Sequence, residues 1–431
     1  MSTSGQTGVA GQTGVTLELE VGQVAAGGSC VARAPDGRVV FVRHSLPGER
    51  VRAVVTSATT SFLRADAVEV LAASPDRVDR PCPYAGPGRC GGCDWQHVSV
   101  PAQRRLKAAL VTEQLHRLAG LDLAVEVEEV PGAPDGLGWR TRVQFAVSPS
   151  GRPGLRKHRS HELEPVDRCL IASPEVEQVG VERLLWPGTS SVEVIAAGAQ
   201  RVVAVSTTSQ GRRGAPDLPD VPAGVLVDGR PRGGPQGVRR TVLGRSFEVA
   251  GGGFWQVHPE AATVLASAVL DGLDPRPGER ALDLYAGAGL FAALLGERVG
   301  PTGAVLAVES DARACADAAR NTDDQPHVRI RTAAVDASVL AGAGRPDLVV
   351  LDPPRAGAGL AVTRSLAALR PRAMAYVACD PASFARDLRV LLDVGWALSS
   401  LRALDLFPMT EHVELVAIVH PPRSEALSQA R

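Results

Sequence analysis

The sequence lacks several things, and each absence removes a class of protein. Net charge is almost nil: 46 Lys and Arg stand against 47 Asp and Glu in 431 residues, leaving −1. So balanced a chain is not a polybasic nucleic-acid binder as a whole, although a local basic face stays open. No long apolar run occurs. The longest strongly apolar stretch without a charge, 284–296, is well short of the roughly 20 residues that span a bilayer. The start, MSTSGQTGVAGQTGV, has neither a basic region nor an apolar core and so is no secretory leader. A cytoplasmic protein with no membrane attachment is expected. Lysine is nearly missing, with Lys107 and Lys157 alone, a bias that carries no functional reading.

What is present suits a globular protein. Hydrophobic residues make up 45%, too many for a disordered chain. The length predicts two to four domains at roughly 100–200 residues each. Residues 1–14 repeat GQTGV among Ser, Thr and Gly and are expected to be a disordered tail. Residues 15–73 alternate apolar and polar positions around turns such as Asp36-Gly37, the pattern of a small β-barrel. Residues 74–250 read as a β-rich central domain holding a Cys-Gly-Pro loop and a helix over 101–119 that ends at Gly120. From 251 to 431, strands alternate with Ala-rich helices, which predicts an α/β domain with a mostly parallel sheet.

Seven cysteines in a cytoplasmic chain argue for ligation or catalysis before disulfides. Cys82, Cys90 and Cys93 share CPYAGPGRCGGC, and Cys169 follows in VDRCLIA. Four thiolates could hold zinc or an iron–sulfur cluster. Zinc more often uses two C-x₂-C knuckles; only Cys90 and Cys93 have that spacing, which tilts the reading to a cluster. The alternative is plain thiols. The radical-initiating C-x₃-C-x₂-C pattern is missing. Cys30 and Cys315 read as structural.

ALDLYAGAGLFAALLG reads as strand, glycine turn and helix. Small residues after Tyr285, including Gly287 and Gly289, let ligand atoms approach the backbone and the helix start. Glu309 ends the next strand, 26 residues after Asp283, a place suited to ribose hydroxyls. The full G-x-G-x-x-G is absent, which disfavours a pyrophosphate and favours a cofactor such as S-adenosylmethionine. PDLVVLDPPRAG ends a strand at Asp352-Pro353-Pro354-Arg355, where Arg355 replaces the aromatic of amine methyltransferases. Cys379 ends the strand AMAYVAC and is a nucleophile candidate if an electropositive setting, such as Arg386 or the following helix start, favours its thiolate. Glu414 lies among apolar residues in EHVELVAIVH, where a raised pKa would suit a base. For each residue the bland reading is a buried thiol or a paired carboxylate.

Taken in order, CPYAGPGRCGGCDWQH, GLRKHRSHELEPVDRC, GGFWQVHPEAA, LDLYAGAG, LDPPRAG, YVACDPASFARDL and LFPMTEHVE resemble the class I uracil-C5 RNA methyltransferases that form 5-methyluridine. The resemblance spans nearly the whole chain. It implies a TRAM barrel, a seven-stranded Rossmann-like catalytic sheet, S-adenosylmethionine as cofactor and a [4Fe–4S] cluster on Cys82, Cys90, Cys93 and Cys169. It implies Cys379 as nucleophile and Glu414 as base. Gln256, Tyr285, Gly287, Glu309, Asp336 and Asp352 would contact the cofactor. RNA is the implied partner, in the 23S rRNA branch and at a single-stranded or flipped-out loop; no obligate protein partner is implied. Two residues depart from the family pattern: Asp380 replaces Asn after the nucleophile, where its charge would raise the thiol pKa, and Leu290 replaces a polar Asn. Arg140, Arg142, Arg156, Lys157 and Arg159 crowd one segment and suit phosphate contacts. GRPRGGPQGVRR suggests a mobile basic loop. The alternatives are a tRNA T-loop methyltransferase and an inactive RNA-binding metalloprotein. A DNA cytosine-C5 enzyme would want Pro where Ala378 stands.

Overall fold

A computed structural model describes residues 13–209, 211 and 217–422. The expected N-terminal tail falls almost entirely outside them. The chain divides into two compact units. The first comprises Met1–Leu110, Gly154–Val166 and Phe407–Glu411, and the second comprises Val111–Pro153, Asp167–Leu406 and His412–Arg431.

In the first unit, β1 (Thr16–Glu20), β2 (Val24–Ala25), β3 (Ser29–Arg33), β4 (Val39–Arg43), β5 (Arg50–Ala58) and β6 (Phe62–Ala72) form one sheet in the order β1-β5-β6-β4-β3-β2. The two-residue period of the sequence decides which side chains face inward. Val51, Ala53 and Val55 of β5 join Leu19, Val40, Val42, Leu63, Ala65 and Trp95 in one core. Buried Glu49 accepts from both Arg77 Nε and Nη2 and from the Leu46 and Ser74 amides. That fourfold satisfaction lets an ion pair persist in the core. The helix α1 (Val100–Gln114) adds Ala102 and Leu110 to the same core. A hairpin of β9 (Pro153–Arg156) and β10 (Leu163–Glu164) comes from later in the chain. The cysteine loop runs beside it: the Gly91 amide donates to the Arg156 carbonyl at 3.0 Å. A Cβ on Gly91 would meet the His158 Cα at 2.6 Å, so only glycine fits there.

The second unit takes its C-terminal core from two kinds of strand. β20 (Leu348–Leu351) and β21 (Ala373–Ala378) are buried at every position, which is why they read as unbroken apolar runs. With β17 (Arg280–Leu284), β18 (Ala304–Glu309), β19 (Val328–Thr332), β22 (Ala397–Asp405) and β23 (Glu414–His420) they form the order β19-β18-β17-β20-β21-β23-β22, and β23 is antiparallel to both neighbours. This is the class I methyltransferase order. An eighth strand, β7 (Val127–Glu129), pairs parallel with β22 and comes from outside 251–431, so the expected seven-stranded sheet is one strand wider. Before it, Val111, Leu115 and Ala119 join the core of this sheet. The predicted helix over 101–119 ends in a π-helical turn, Leu115–Ala119, closed by Gly120 at φ 69°.

The helices α3 (Ala261–Leu273), α4 (Leu290–Val299), α5 (Ala312–Asn321), α6 (Ala337–Ala341), α7 (Gly359–Leu369) and α8 (Pro381–Asp393) alternate with these strands. A second sheet in this unit pairs β8 (Arg142–Val147), β11 (Thr189–Ala197), β12 (Gln200–Thr207), β13 (Gly224–Val227) and β14 (Arg230–Gly233), with the short α2 (Pro174–Glu177) beside β11. The segment expected to be a mobile basic loop instead forms β14 and the start of a hairpin, β15 (Gly237–Val242) and β16 (Arg245–Ala250). Arg240 donates to the Ala196 carbonyl and is not a free phosphate contact. Asn321 of α5 holds β16 as a neighbouring strand would: it accepts from Glu248 N–H at 2.8 Å and donates to Glu248 O at 3.0 Å. No helix among the described residues is long and apolar enough to cross a membrane.

Candidate active site

Strand order reverses between β18-β17 and β20-β21, and ligands of open α/β sheets bind beyond the strand ends at such a point. There the chain leaves β17 through Tyr285 at φ 61°, Gly287 at φ 53° and Gly289 at φ 85°, and α4 begins at the next residue. Glu309, at the end of β18, ties this turn down. Its Oε2 accepts from Gly287 N–H at 3.0 Å, and its Oε1 accepts from the Ser310 and Asp311 amides at 2.6 and 2.7 Å. Leu290, in place of a polar residue, is buried as the first residue of α4.

Asp283 lies below the turn within β17, wholly buried, with neither carboxyl oxygen hydrogen-bonded. Burial pushes its pKa up to about 8, with Asp352 and Glu309 adding to the rise; the Ala292 N–H moderates it without reaching hydrogen-bond geometry. A folded pKa above the unfolded 3.8 means the native state keeps a proton that the unfolded chain loses. This contribution to stability is complete below pH 3.8 and declines as pH rises toward 8. Asp283→Asn is therefore expected to gain on the wild type by up to about 1.4 kcal/mol per pH unit across this window. Urea unfolding of both proteins at pH 5, 6 and 7 measures it; parallel curves would sink the assignment.

The chemical centre is assembled by strand register. β21 and β23 are antiparallel with Ala378 opposite Leu415, so the next residues, Cys379 and Glu414, face each other. β20 runs parallel to β21 with Leu351 beside Tyr376, which places Asp352 at the same end of the sheet. Burial pushes the Cys379 thiol up to about 11; Glu414 and Asp352 add to the rise, and Arg355 opposes it. Glu414 is 3% exposed, and its carboxyl is held well above the usual range by burial and by Asp352, again opposed by Arg355. Burial pushes Asp352 up to about 7. The nucleophile and base candidates therefore sit in a low-dielectric, acid-rich recess where Arg355 is the side chain that favours both thiolate and carboxylate.

One sequence expectation changes here. The cation that chiefly offsets the rise at Cys379 is Arg355 rather than Arg386. Asp380 caps α8, accepting from Ser383 N–H at 2.7 Å. Sequence reasoning also missed Asp387. From α8 it accepts from Tyr376 Oη at 2.7 Å and from the Ala358 and Gly359 amides, bracing the loop that carries Asp352 and Arg355. Acidic residues inside otherwise apolar strands or helices are the signal that marks Asp283 and Asp387.

The other expected contacts are less gathered. Gln256 is half-buried in the loop between β16 and α3. Asp336 is exposed and caps α6, accepting from Val339 N–H at 2.9 Å. Arg142 is occupied: it pairs with both Glu193 oxygens at 2.6 and 2.7 Å and donates to Gly253 O. Arg140 donates to the Arg142 carbonyl. Both lie in the second unit, whereas Arg156, Lys157 and Arg159 lie in the first. There Lys157 and Arg159 line a cleft of about 510 Å³ with Arg43, Arg64 and Phe41, and Arg64 stacks on the Phe41 and Phe62 rings. Cys82, Cys90 and Cys93 are half-buried in the first unit, and Cys169 belongs to the second. Among the described residues no three of His, Cys, Asp or Glu are gathered to hold a metal ion. Cys30 is a core thiol pushed up to about 12 by burial.

Comparison with known proteins matches residues 11–68 to the TRAM domain. A protein of Streptomyces coelicolor named an uncharacterized RNA methyltransferase is 52% identical, spanning 95% of this chain and 93% of its own. A similarly named protein of Bifidobacterium longum is 37% identical over 94% of this chain and 97% of its own. Among solved structures, the Pyrococcus abyssi tRNA (uracil-54, C5)-methyltransferase in complex with S-adenosyl-L-homocysteine superposes with a TM-score of 0.68 at 23% identity. That match covers 94% of this chain and 100% of the other.

Proposed function

We infer that this chain, which belongs to the RNA methyltransferase family, methylates C5 of uridine in RNA, with S-adenosylmethionine as donor and 23S rRNA as substrate. The observation that carries the reading is the strand register that sets the Cys379 thiol opposite the buried Glu414 carboxyl. Uracil C5 is a poor nucleophile until C6 is attacked. The Cys379 sulfur adds to C6, and electron density moves to C5. When bound, S-adenosylmethionine supplies the electrophilic methyl group. Glu414 then takes the C5 proton, the C6–S bond breaks, and the thiolate is regenerated. Tyr285, Gly287, Glu309, Asp336, Asp352 and Gln256 hold the cofactor. The positive-φ turn suits it, because its small residues leave the start of α4 open. Arg156, Lys157 and Arg159 contact phosphates, aided by the aromatic-floored cleft.

We also propose that Cys82, Cys90, Cys93 and Cys169 bind a [4Fe–4S] cluster. Support comes from the resemblance and from three half-buried thiols sharing one loop. Anaerobically purified protein should be brown and contain iron and sulfide, and colourless zinc-loaded protein would reverse the assignment.

A tRNA substrate is the second reading. The fold match to the archaeal tRNA enzyme runs over 94% of this chain, so the barrel does not by itself separate the two substrates. The test is transfer of labelled methyl to total RNA from a strain lacking the protein, followed by size fractionation and nucleoside analysis. Label in 5-methyluridine of large-subunit rRNA is expected. Label in tRNA keeps the chemistry and changes the substrate. No label from fully loaded protein favours an inactive RNA-binding role.

A further inference from the structure

Arg355 acts on both reacting groups, yet it is exposed and carried on a loop. A long exposed guanidinium samples many rotamers unless something holds it. Among the described residues it makes one hydrogen bond: its Nη2 lies 3.0 Å from His412 Nε2. A guanidinium can only donate, so Nε2 is the acceptor in this contact, the role a neutral imidazole with its proton on Nδ1 fills. His412 precedes Glu414 by two residues, with buried Val413 between them as an anchor.

We propose that His412 is a positioning residue that holds Arg355 at the sheet end carrying Cys379 and Glu414 through a neutral acceptor. The choice of side chain follows from electrostatics. An Asp or Glu at 412 would grip the guanidinium more strongly, but its negative charge would cancel the field that Arg355 exerts on the recess. It would also stand beside a carboxyl and a thiol that already feel too much negative charge. A neutral nitrogen orients the cation and leaves its charge acting on its neighbours. The identity of residue 412 thus sets how readily the thiolate forms.

This inference rests on the roles given above to Cys379 and Glu414, but its test does not need RNA. Alkylation of Cys379 by iodoacetamide is followed against pH in RNA-free protein, by mass spectrometry of the Cys379 peptide. His412→Leu removes the acceptor, and His412→Gln restores a neutral one near the position of Nε2. His412→Glu supplies a charged one. At a fixed pH below the thiol pKa, the Leu and Glu variants should react about tenfold more slowly than wild type, a displacement of one pH unit. The Gln variant should stay within about twofold of wild type. In an Arg355→Ala background, His412→Leu should have no further effect. In turnover, the Leu variant should lose kcat while KM for S-adenosylmethionine holds. Equal profiles for Leu and wild type, or for Gln and Glu, overturn the proposal, as does an undiminished Leu effect without Arg355. A purely structural role would not separate Gln from Glu. If Cys379→Ala still methylates RNA, the functional reading fails instead, whatever the alkylation profiles show.

Discussion

Replacing Cys379 by Ala is expected to abolish methyl transfer, by on the order of 10⁴-fold or more, while RNA affinity stays within about twofold of wild type. The size follows from the chemistry: without a sulfur on C6 there is no route to electron density at C5, and nothing else in the recess is a nucleophile. Glu414 and Asp352 are carboxyl groups, far weaker nucleophiles toward C6 than a thiolate, and Arg355 is a cation. The substitution should leave the fold intact, because Cys379 is half-buried at a strand end and Ala removes one sulfur. Filter binding of RNA and single-turnover methyl transfer on the same preparation make the comparison. Near-normal transfer by the variant would falsify the nucleophile assignment and leave a buried structural thiol.

Glu414→Gln gives the second large effect and a different signature. Gln keeps the size and hydrogen-bonding shape of the side chain but cannot accept the C5 proton. In the proposed order of steps sulfur addition and methyl transfer both precede proton removal, so the reaction should stop with the methylated base still joined to Cys379. Turnover should fall about 10²–10⁴-fold, and a labelled RNA–protein band should survive denaturing electrophoresis. Adding Cys379→Ala should erase that band. A further consequence separates this from simple damage. Glu414 raises the thiol pKa, so the Gln variant should alkylate Cys379 faster than wild type at neutral pH. Slow turnover with no trapped adduct and no gain in thiol reactivity would remove Glu414 from the proton-transfer role.

The legible parts of the molecule were those written in local pattern. Alternation marked the strands of the first sheet, unbroken apolar runs marked β20 and β21, and a glycine turn between strand and helix marked the C-terminal end of β17. Cys379 and Glu414 could each be suspected from their places beside strand ends. Their pairing could not, because a register between residues 35 apart is a tertiary fact. The same holds for Arg355. In sequence it looked like the loss of an aromatic; in space it is the cation that offsets two acids. Arg142 failed in the opposite direction. A run of arginines looks like a phosphate surface until Glu193 is found across the strand, closing a bidentate pair. Asp380, read from sequence as a charge beside the thiol, also caps the following helix, a contact that only the fold reveals. β7 was too short to be distinguished from a loop, since three residues carry no usable period.

That short strand alters how the catalytic part can be handled. β7 lies along β22, which would otherwise present an unpaired backbone edge, and Arg402 of β22 is clasped by Glu128 of β7. The preceding residues Val111, Leu115 and Ala119 fill the same core. A fragment cut at 251 would contain every residue assigned to the methyl-transfer chemistry, yet it would expose a sticky strand and an unfilled hollow. The catalytic sheet is therefore not a cassette that can be excised or transplanted at its first motif. Its genetic boundary lies more than a hundred residues upstream of its chemical one.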